Sequence, residues 1–366
     1  MGTVISSCGT SLLTKGAPRE LLEILFRHAN DEKGELPPEV RAAIDQRVLD
    51  VKGLLGEVAQ AKRQSAEING IVSLYGAEFD ALARRDVHML LCTDTYQGRV
   101  CAQVVMEWLV ARGIGANVVP LIGLTTRNVD AFHLGMQSLV TWLEEYVIPW
   151  RDQGQRITFN LVGGFKSVQG VLNTLGMFYA DEIVYIFDSP GAELIRIPRL
   201  PIRLDAAGFI EEHLNVFRKL HLKLQPAADE IRGMPEMLLD YGRDGTAALS
   251  VWGEVLFKRS QDTTYAQRLW PSPTDMIRFA PTFEASVQEI ERDRMSHVNH
   301  RVDDLVRFLT NGYNPPRLDF KGLRGNPVPP STHECDAWAD QGGYRIFMHY
   351  DGETLVLDDL ARGLGH

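Results

Sequence analysis

Residues Ile157 to Asp188, ITFNLVGGFKSVQGVLNTLGMFYADEIVYIFD, hold two short apolar runs separated by a helical pattern, an order that leaves few folds open. The first run ends in Gly163-Gly164-Phe165-Lys166-Ser167, and the second spans Ile183 to Phe187. Two strands joined through a helix form a parallel pair, because the crossover returns the chain to the sheet in its original direction. The two glycines let the backbone approach a ligand closely. The helix N-terminus beyond them offers unpaired N–H groups and positive potential to an anion, and Lys166 adds a mobile cation at the same spot. The segment predicts a phosphate-bearing ligand at the carboxyl edge of a parallel sheet. It has neither the GxxxxGK[ST] nor the GxGxxG spacing, and a Gly-Gly turn between strand and helix also serves tight packing alone.

A second strand-to-turn junction opens the chain. Val4 to Leu13, VISSCGTSLL, runs from an apolar strand into a Gly-Thr-Ser turn, with Ser6, Ser7, Thr10 and Ser11 crowding its end. Those hydroxyls suit phosphate and ribose oxygens and equally suit a helix cap. If the two strands are sheet neighbours, Thr10-Ser11 and Lys166-Ser167 lie side by side.

The 366 residues suffice for two or three domains with cores of their own. No apolar stretch approaches the roughly 20 residues of a membrane span, and no basic-then-apolar leader is visible, so cytoplasmic residence without membrane contact is expected. Cys8, Cys92, Cys101 and Cys335 are scattered without CxxC or Cys/His spacing, which points to neither disulfides nor a metal site. A net charge of −10 argues against broad nonspecific nucleic-acid binding.

Residues 18 to about 84 read as mainly helical. Strands at His88–Cys92 and Asn117–Leu121 then alternate with helices at Gln97–Arg112 and Asp130–Trp150, which makes a doubly wound parallel sheet the natural architecture. Asp94, Thr95 and Arg127 fall just past strand ends and are secondary candidates for ligand contact or for capping and solvation. Glu193–Pro198 suggests a further strand. Residues 205–270 are expected as a connector, with helical periodicity over Ala206–Lys223 and a strand or hairpin arm at Ala248–Arg259. Pro271-Ser272-Pro273 marks a boundary. Beyond it lie a strand at Met276–Phe279, helices over Phe283–Leu309 broken near Ser296–Asn299, and strands at His333–Ala337, Tyr344–Tyr350 and Thr354–Leu357. Asp351-Gly352 between the last two is a strong hairpin signal. The predicted C-terminal domain, residues 271–366, is a small two-layer α+β fold.

The runs SSCGTSLL, CTDT at Cys92 to Thr95 and NLVGGFKSVQGVLNTLGMFYADEIVYIF strongly resemble the CARF domains of type III CRISPR ancillary proteins, over roughly residues 1–204. The resemblance implies a Rossmann-like α/β sensor that binds a cyclic oligoadenylate as a homodimer, usually cyclic tetra-adenylate in the branch with the SxGTSLL start. It implies ligand contacts from Gly9, Thr10, Ser11, Thr95, Gly163, Gly164, Phe165, Lys166 and Ser167. Some members also cut the ring with residues matching Ser11 and Lys166, so a ring nuclease is one alternative and a non-catalytic regulator another.

IRFAPTFEASV followed by GYRIFMHYDGETLVLDDLARGLGH resembles the RelE-superfamily toxins, many of which cut messenger RNA on the ribosome. That resemblance implies a ribonuclease in which a ribose 2′-OH attacks the adjacent phosphate without a metal or other cofactor. Arg345 matches the family's central-strand arginine and His366 its C-terminal acid/base position. His333 with Glu334 offers another acid/base pair, Lys321 and Arg324 could grip RNA, and Tyr344 either packs or orients the phosphate. One departure stands out: Asp275 to His366 carries ten Lys/Arg against fifteen Asp/Glu, an acidic domain where the family is usually basic.

Overall fold

The structure, a computed structural model, describes residues 1–125, 127–164, 166–187, 192–200, 206–242, 244–324, 327–340 and 343–363, without the side chains of 129, 130, 167 and 292. The chain divides into two compact units, Met1–Arg203 and Leu204–His366.

The first unit is built on a six-stranded sheet. Its strands are β1 (Gly2–Ser7), β2 (Val87–Thr93), β3 (Gly115–Leu121), β4 (Arg156–Asn160), β5 (Glu182–Ile186) and β6 (Leu194–Pro198). Their spatial order is β3-β2-β1-β4-β5-β6. All neighbours are parallel except β6, which closes the edge antiparallel to β5. β1 to β3 are laid down in one direction and β4 to β6 in the other, so the winding reverses between β1 and β4. Helices cover both faces. A Cβ on Gly70, in helix Ala66–Tyr75, would meet Asn160, whereas one on Gly176, in helix Lys166–Tyr179, would meet Ile183 and Phe159. Asn160 and Phe159 are successive residues of β4 and point to opposite faces. The expected helix over residues 97–112 runs Tyr96–Val110 and ends at Gly113, whose φ of +74° suits a glycine stop.

In the second unit β7 (Leu239–Tyr241) and β8 (Ala247–Leu249) form a short hairpin. β9 (Ile277–Phe279), β10 (Lys321–Gly322), β11 (His333–Trp338), β12 (Tyr344–Asp351) and β13 (Thr354–Arg362) form a sheet of order β10-β11-β12-β13-β9. It is antiparallel except for β9, which runs parallel to β13. Asp351-Gly352 makes the expected turn between β12 and β13, with Gly352 at φ +64°. Helices Pro281–Gln288 and Met295–Asn311 contribute Phe283, Val287, Val298, Val302 and Leu305 to a core with Cys335, Ile346, Met348 and Leu357 of the sheet. The break between these helices falls at residues 289–294, earlier than the expected Ser296–Asn299, because Asn299 is wholly buried inside the second helix.

Residues 206–270, expected as a connector, lie within this second unit. Asn299 receives the Trp270 N–H at 2.9 Å and donates to the Tyr265 and Arg268 carbonyls at 2.8 Å each. Buried Arg218 donates through Nε to Asp303 at 2.8 Å, and Tyr265 donates to the same carboxylate. The strand expected at Ala248–Arg259 is a correction: only Ala247–Leu249 is strand, and Val251–Tyr265 is helix. Short apolar runs fit either period, and here the Ser250 hydroxyl decides by capping the helix through the Gly253 N–H at 3.2 Å.

Candidate functional site

In an open α/β sheet the crevice for a ligand opens beyond the carboxyl ends of the strands where the winding reverses. In the first unit that place is the β1/β4 junction, and both Gly-containing turns are there. β1 and β4 pair from Gly2↔Arg156 to Ser6↔Asn160, so the turns leave the sheet together. Gly9 and Gly164 touch: a Cβ on Gly9 would stand 3.0 Å from the Gly164 Cα. Gly164 adopts φ +105°, which side-chain-bearing residues avoid. The Ser7 hydroxyl donates to the Gly163 carbonyl and Gln169 Nε2 donates to the Leu161 and Gly163 carbonyls at 3.0 and 2.9 Å, which ties the second turn to the first strand's end and to its own helix. Thr10 and Ser11 are half-buried at the start of helix Ser11–Thr14, and Lys166 is exposed as the first residue of its 14-residue helix. Phe165 and the side chain of Ser167 lie outside the described residues.

Under this edge sits a residue that sequence reading passed over. Glu67, 1% exposed, accepts the Gly9 N–H at 2.9 Å, the Ser65 hydroxyl at 2.7 Å and the Ser11 hydroxyl at 3.1 Å. A Cβ on Gly163 would stand 2.2 Å from its Oε1, so this glycine is required by the carboxylate as well as by the turn. A buried carboxylate that accepts several hydrogen bonds is held in place by them, and here they fix Ser11 at the crevice. Burial pushes the nearby Cys8 thiol far above its ordinary value, with the Glu67 charge adding to the effect, which keeps the thiol neutral.

The secondary candidates have other employment. Thr95 is 2% exposed and caps helix Tyr96–Val110, accepting the Gly98 N–H at 3.1 Å. Asp94 pairs with Arg99 and accepts the Gly123 N–H at 3.0 Å. Arg127 reaches Asp31 and Glu35 at 3.3 Å each. A cavity of about 410 Å³ lies beside Asp94 and Thr95, edged by Lys33 and Arg99. Another, of about 310 Å³, is at the opposite, amino-terminal edge of the sheet, where Arg156 and Arg196 both pair with Glu182 at 3.2 and 2.8 Å.

In the second unit the candidate residues divide between the two faces of the sheet. Arg345 pairs across the ladder with Asp336, and Glu334 pairs with Phe347, which puts Arg345, Glu334 and Asp336 on one face. The guanidinium lies 3.2 Å from Glu334, 3.0 Å from Asp336 and 3.7 Å from Asp319. Lys321 bonds Asp319 at 2.5 Å and lies 3.9 Å from Glu334. The Lys321 hydrogen bond, with desolvation opposing it, holds Asp319 below the usual carboxylate range. Two cations therefore sit among three carboxylates. A Cβ on Gly363 would stand 3.1 Å from Arg345 Nε, so the end of the described chain passes beside this cluster; His366 lies outside the described residues.

His333 pairs with Met348 on the other face, so it and Glu334 do not work as a pair on one site. Its ring stacks on Phe320 at 5.3 Å and meets Tyr350 edge-on, with Nδ1 2.9 Å from the Thr332 hydroxyl. Tyr344 stacks on Trp338 with centroids 4.7 Å apart, which is the packing alternative. Arg324 is exposed. Among the described residues no cluster of His, Cys, Asp and Glu could hold a metal ion, and no helix is long and apolar enough to cross a membrane.

The chain matches no curated protein. Residues 62–200, which include helix Ala66–Tyr75, β2 to β5 and the GGFKS turn, match the family model described as CRISPR-associated protein (Cas_APE2256), a similarity that indicates a CRISPR-associated protein and does not extend to the second unit.

Proposed function

We propose that the chain is a ligand-controlled ribonuclease of type III CRISPR defence, working as a homodimer. The first unit binds a cyclic oligoadenylate, cyclic tetra-adenylate foremost, at the β1/β4 crevice, and the second unit cleaves RNA in response. The observation that carries the ligand half is the side-by-side placement of the Gly9–Ser11 and Gly163–Lys166 turns at the reversal point of the sheet, the second of them within the stretch that matches a CRISPR-associated family. Turn amides and the helix N-terminus suit phosphate oxygens, Ser11 suits a ribose hydroxyl, and Lys166 supplies the charge. A twofold partner would double these contacts around a symmetric ring.

The RNA-cleaving half is supported by Arg345 on the middle strand of the second sheet, with Lys321 beside it. Attack of a 2′-OH on phosphate builds negative charge that a guanidinium stabilises, but Arg345 is held by three carboxylates. Activation then requires that ligand binding favour an arrangement in which phosphate replaces them, since a ligand acts only through different affinity for two states.

Ring cleavage is the second reading, favoured by the buried Glu67 carboxylate at the Ser11 hydroxyl. One experiment separates the readings: incubate the chain with labelled RNA and cyclic tri-, tetra- or hexa-adenylate, following both RNA and ring products. RNA products that depend on one ring size are expected. RNA cleavage independent of every ring removes the sensor role, and linear oligoadenylate without RNA products favours the ring nuclease.

A further inference from the structure

Histidine is the side chain best suited to move a proton near neutral pH, and its two nitrogens act differently according to what holds one of them. We propose that His349 is the proton-transfer group of the second unit, positioned by Asp358 and Ser331. This rests on the RNA-cleavage reading of that unit.

The argument begins with a defect in the β12/β13 ladder. Phe347 pairs with Asp359 and Met348 with Leu357, which leaves Asp358 as an extra residue without a partner on β12. Such a bulge re-aims a side chain at the point where it occurs. Here both carboxylate oxygens of Asp358 come within 2.9 Å of His349 Nδ1. The Ser331 hydroxyl donates to Oδ2 at 2.7 Å. Asp358 is 6% exposed and Ser331 1%, so the carboxylate is buried and hydrogen-bonded from two sides.

A carboxylate at Nδ1 makes that nitrogen the donor, so in the neutral ring Nε2 carries the free lone pair. Among the described residues Nε2 has no hydrogen-bond partner, and the imidazole is 27% exposed. His349 also lies on the same sheet face as Arg345, four residues along one strand, about 13 Å at the usual rise. The Arg345 guanidinium leans toward Glu334 and Asp336 of β11 and the His349 ring toward Asp358 of β13, so the two groups flank one stretch of β12 on the same face. His333 has the Thr332 hydroxyl rather than a carboxylate at Nδ1 and is packed among aromatic rings on the other face.

The step balances without a metal. His349 Nε2 takes the proton of the ribose 2′-OH as O2′ bonds to phosphorus. The P–O5′ bond breaks with its electron pair going to O5′, which takes a proton from water. The products are a cyclic 2′,3′-phosphate, a 5′-hydroxyl and an imidazolium beside Asp358, which returns its proton to water. Asp358 stabilises the charged ring without touching substrate and is a positioning residue.

The test uses the full chain with its activating ring and an RNA substrate. His349→Gln should lower kcat about 10²–10⁴-fold while ring binding and the denaturation midpoint of the second unit stay at the wild-type level, the midpoint verifying that this unit folds. His349→Ala should regain part of its rate with added imidazole, a rescue that a structural histidine would not show. Asp358→Asn should lower kcat at nearly constant KM. If the wild type cuts RNA and His349→Gln cuts as fast, or if imidazole restores nothing to His349→Ala, the assignment is wrong. A wild type that cuts no RNA with any ring overturns the proposed function and this assignment with it.

Discussion

The two candidate sites differ in how their cations are held. At the β1/β4 crevice the positive groups are helix N–H dipoles and an exposed Lys166, while the buried carboxylate beneath, Glu67, is occupied by Gly9, Ser11 and Ser65. On the second sheet Arg345 and Lys321 are embedded among Asp319, Glu334 and Asp336. An anion can approach the first without displacing a protein carboxylate, whereas phosphate at the second must compete with three. Under the proposed function, the contrast corresponds to a ligand site that is ready and an effector site that waits. It also accounts for an acidic C-terminal unit, because local cation placement rather than net charge governs a site of this kind.

The sharpest way to break the comparison is Arg345→Ala. Ring-stimulated RNA cleavage should fall about 10²–10³-fold, the usual effect of losing one preorganised charge-stabilising group, with ring affinity unchanged in calorimetry. Unchanged cleavage would mean that the carboxylate cluster is only a structural ion-pair network.

Acid should separate the units next. Burial lowers His88 in the first unit to about 4, with Asp86 opposing the effect. The folded state therefore gives up a proton that the unfolded chain still holds. Stability from this source is full above about pH 6.5, declines as pH falls toward 4, and changes by about 3 kcal/mol in total. In the second unit Asp262 is lowered by its hydrogen bond from His300, so its contribution is lost only below the ordinary carboxylate range. Chemical denaturation between pH 7 and 4.5 should weaken the first unit, and His88→Gln should flatten that dependence. Parallel losses in wild type and variant would remove His88 as the cause.

Lys166→Ala follows, with ring affinity expected to fall about 10–100-fold, as for a charge-assisted hydrogen bond, and activation to weaken with it. Calorimetry with cyclic tetra-adenylate measures it, and an unaltered affinity would leave the turn with a packing role only.

What could be read beforehand follows from the range of the forces involved. Strand, turn and helix order in Ile157 to Asp188 is a local pattern, whereas the pairing of β1 with β4 entered only as the condition under which the two turns share a ligand. The hairpin at Asp351-Gly352 was legible for the same reason. Val251–Tyr265 was misread because its apolar spacing suits either period and the deciding contact is one capping hydroxyl. Glu67 stayed hidden because a glutamate near a helix start looks like an ordinary exposed residue, and only its contact with Gly9, 58 positions away, reveals it. The pairing of His349 with Asp358 depends on a bulge, and a single unpaired residue in a ladder leaves no periodic trace. The carboxylates around Arg345 come from two stretches of chain, Asp319 from one and Glu334 with Asp336 from β11, so charge counting showed an acidic domain without showing where the acid gathers.

The smallest expected effect tests where the crevice ends. Thr95 falls at the carboxyl end of β2, next to β1, and its place in CTDT made it a candidate ligand contact. Its hydroxyl is spent on the Gly98 N–H and lies 3.0 Å from the Thr93 hydroxyl, with the side chain buried. Thr95→Ala should therefore cost about 1 kcal/mol of stability, the usual loss of a cap, and leave ring affinity within about twofold. Denaturant midpoints and calorimetry on the same preparation give both numbers. A tenfold loss of affinity at unchanged stability would instead extend the ligand site across β2 and make the contrast between the two units one of size as well as of charge.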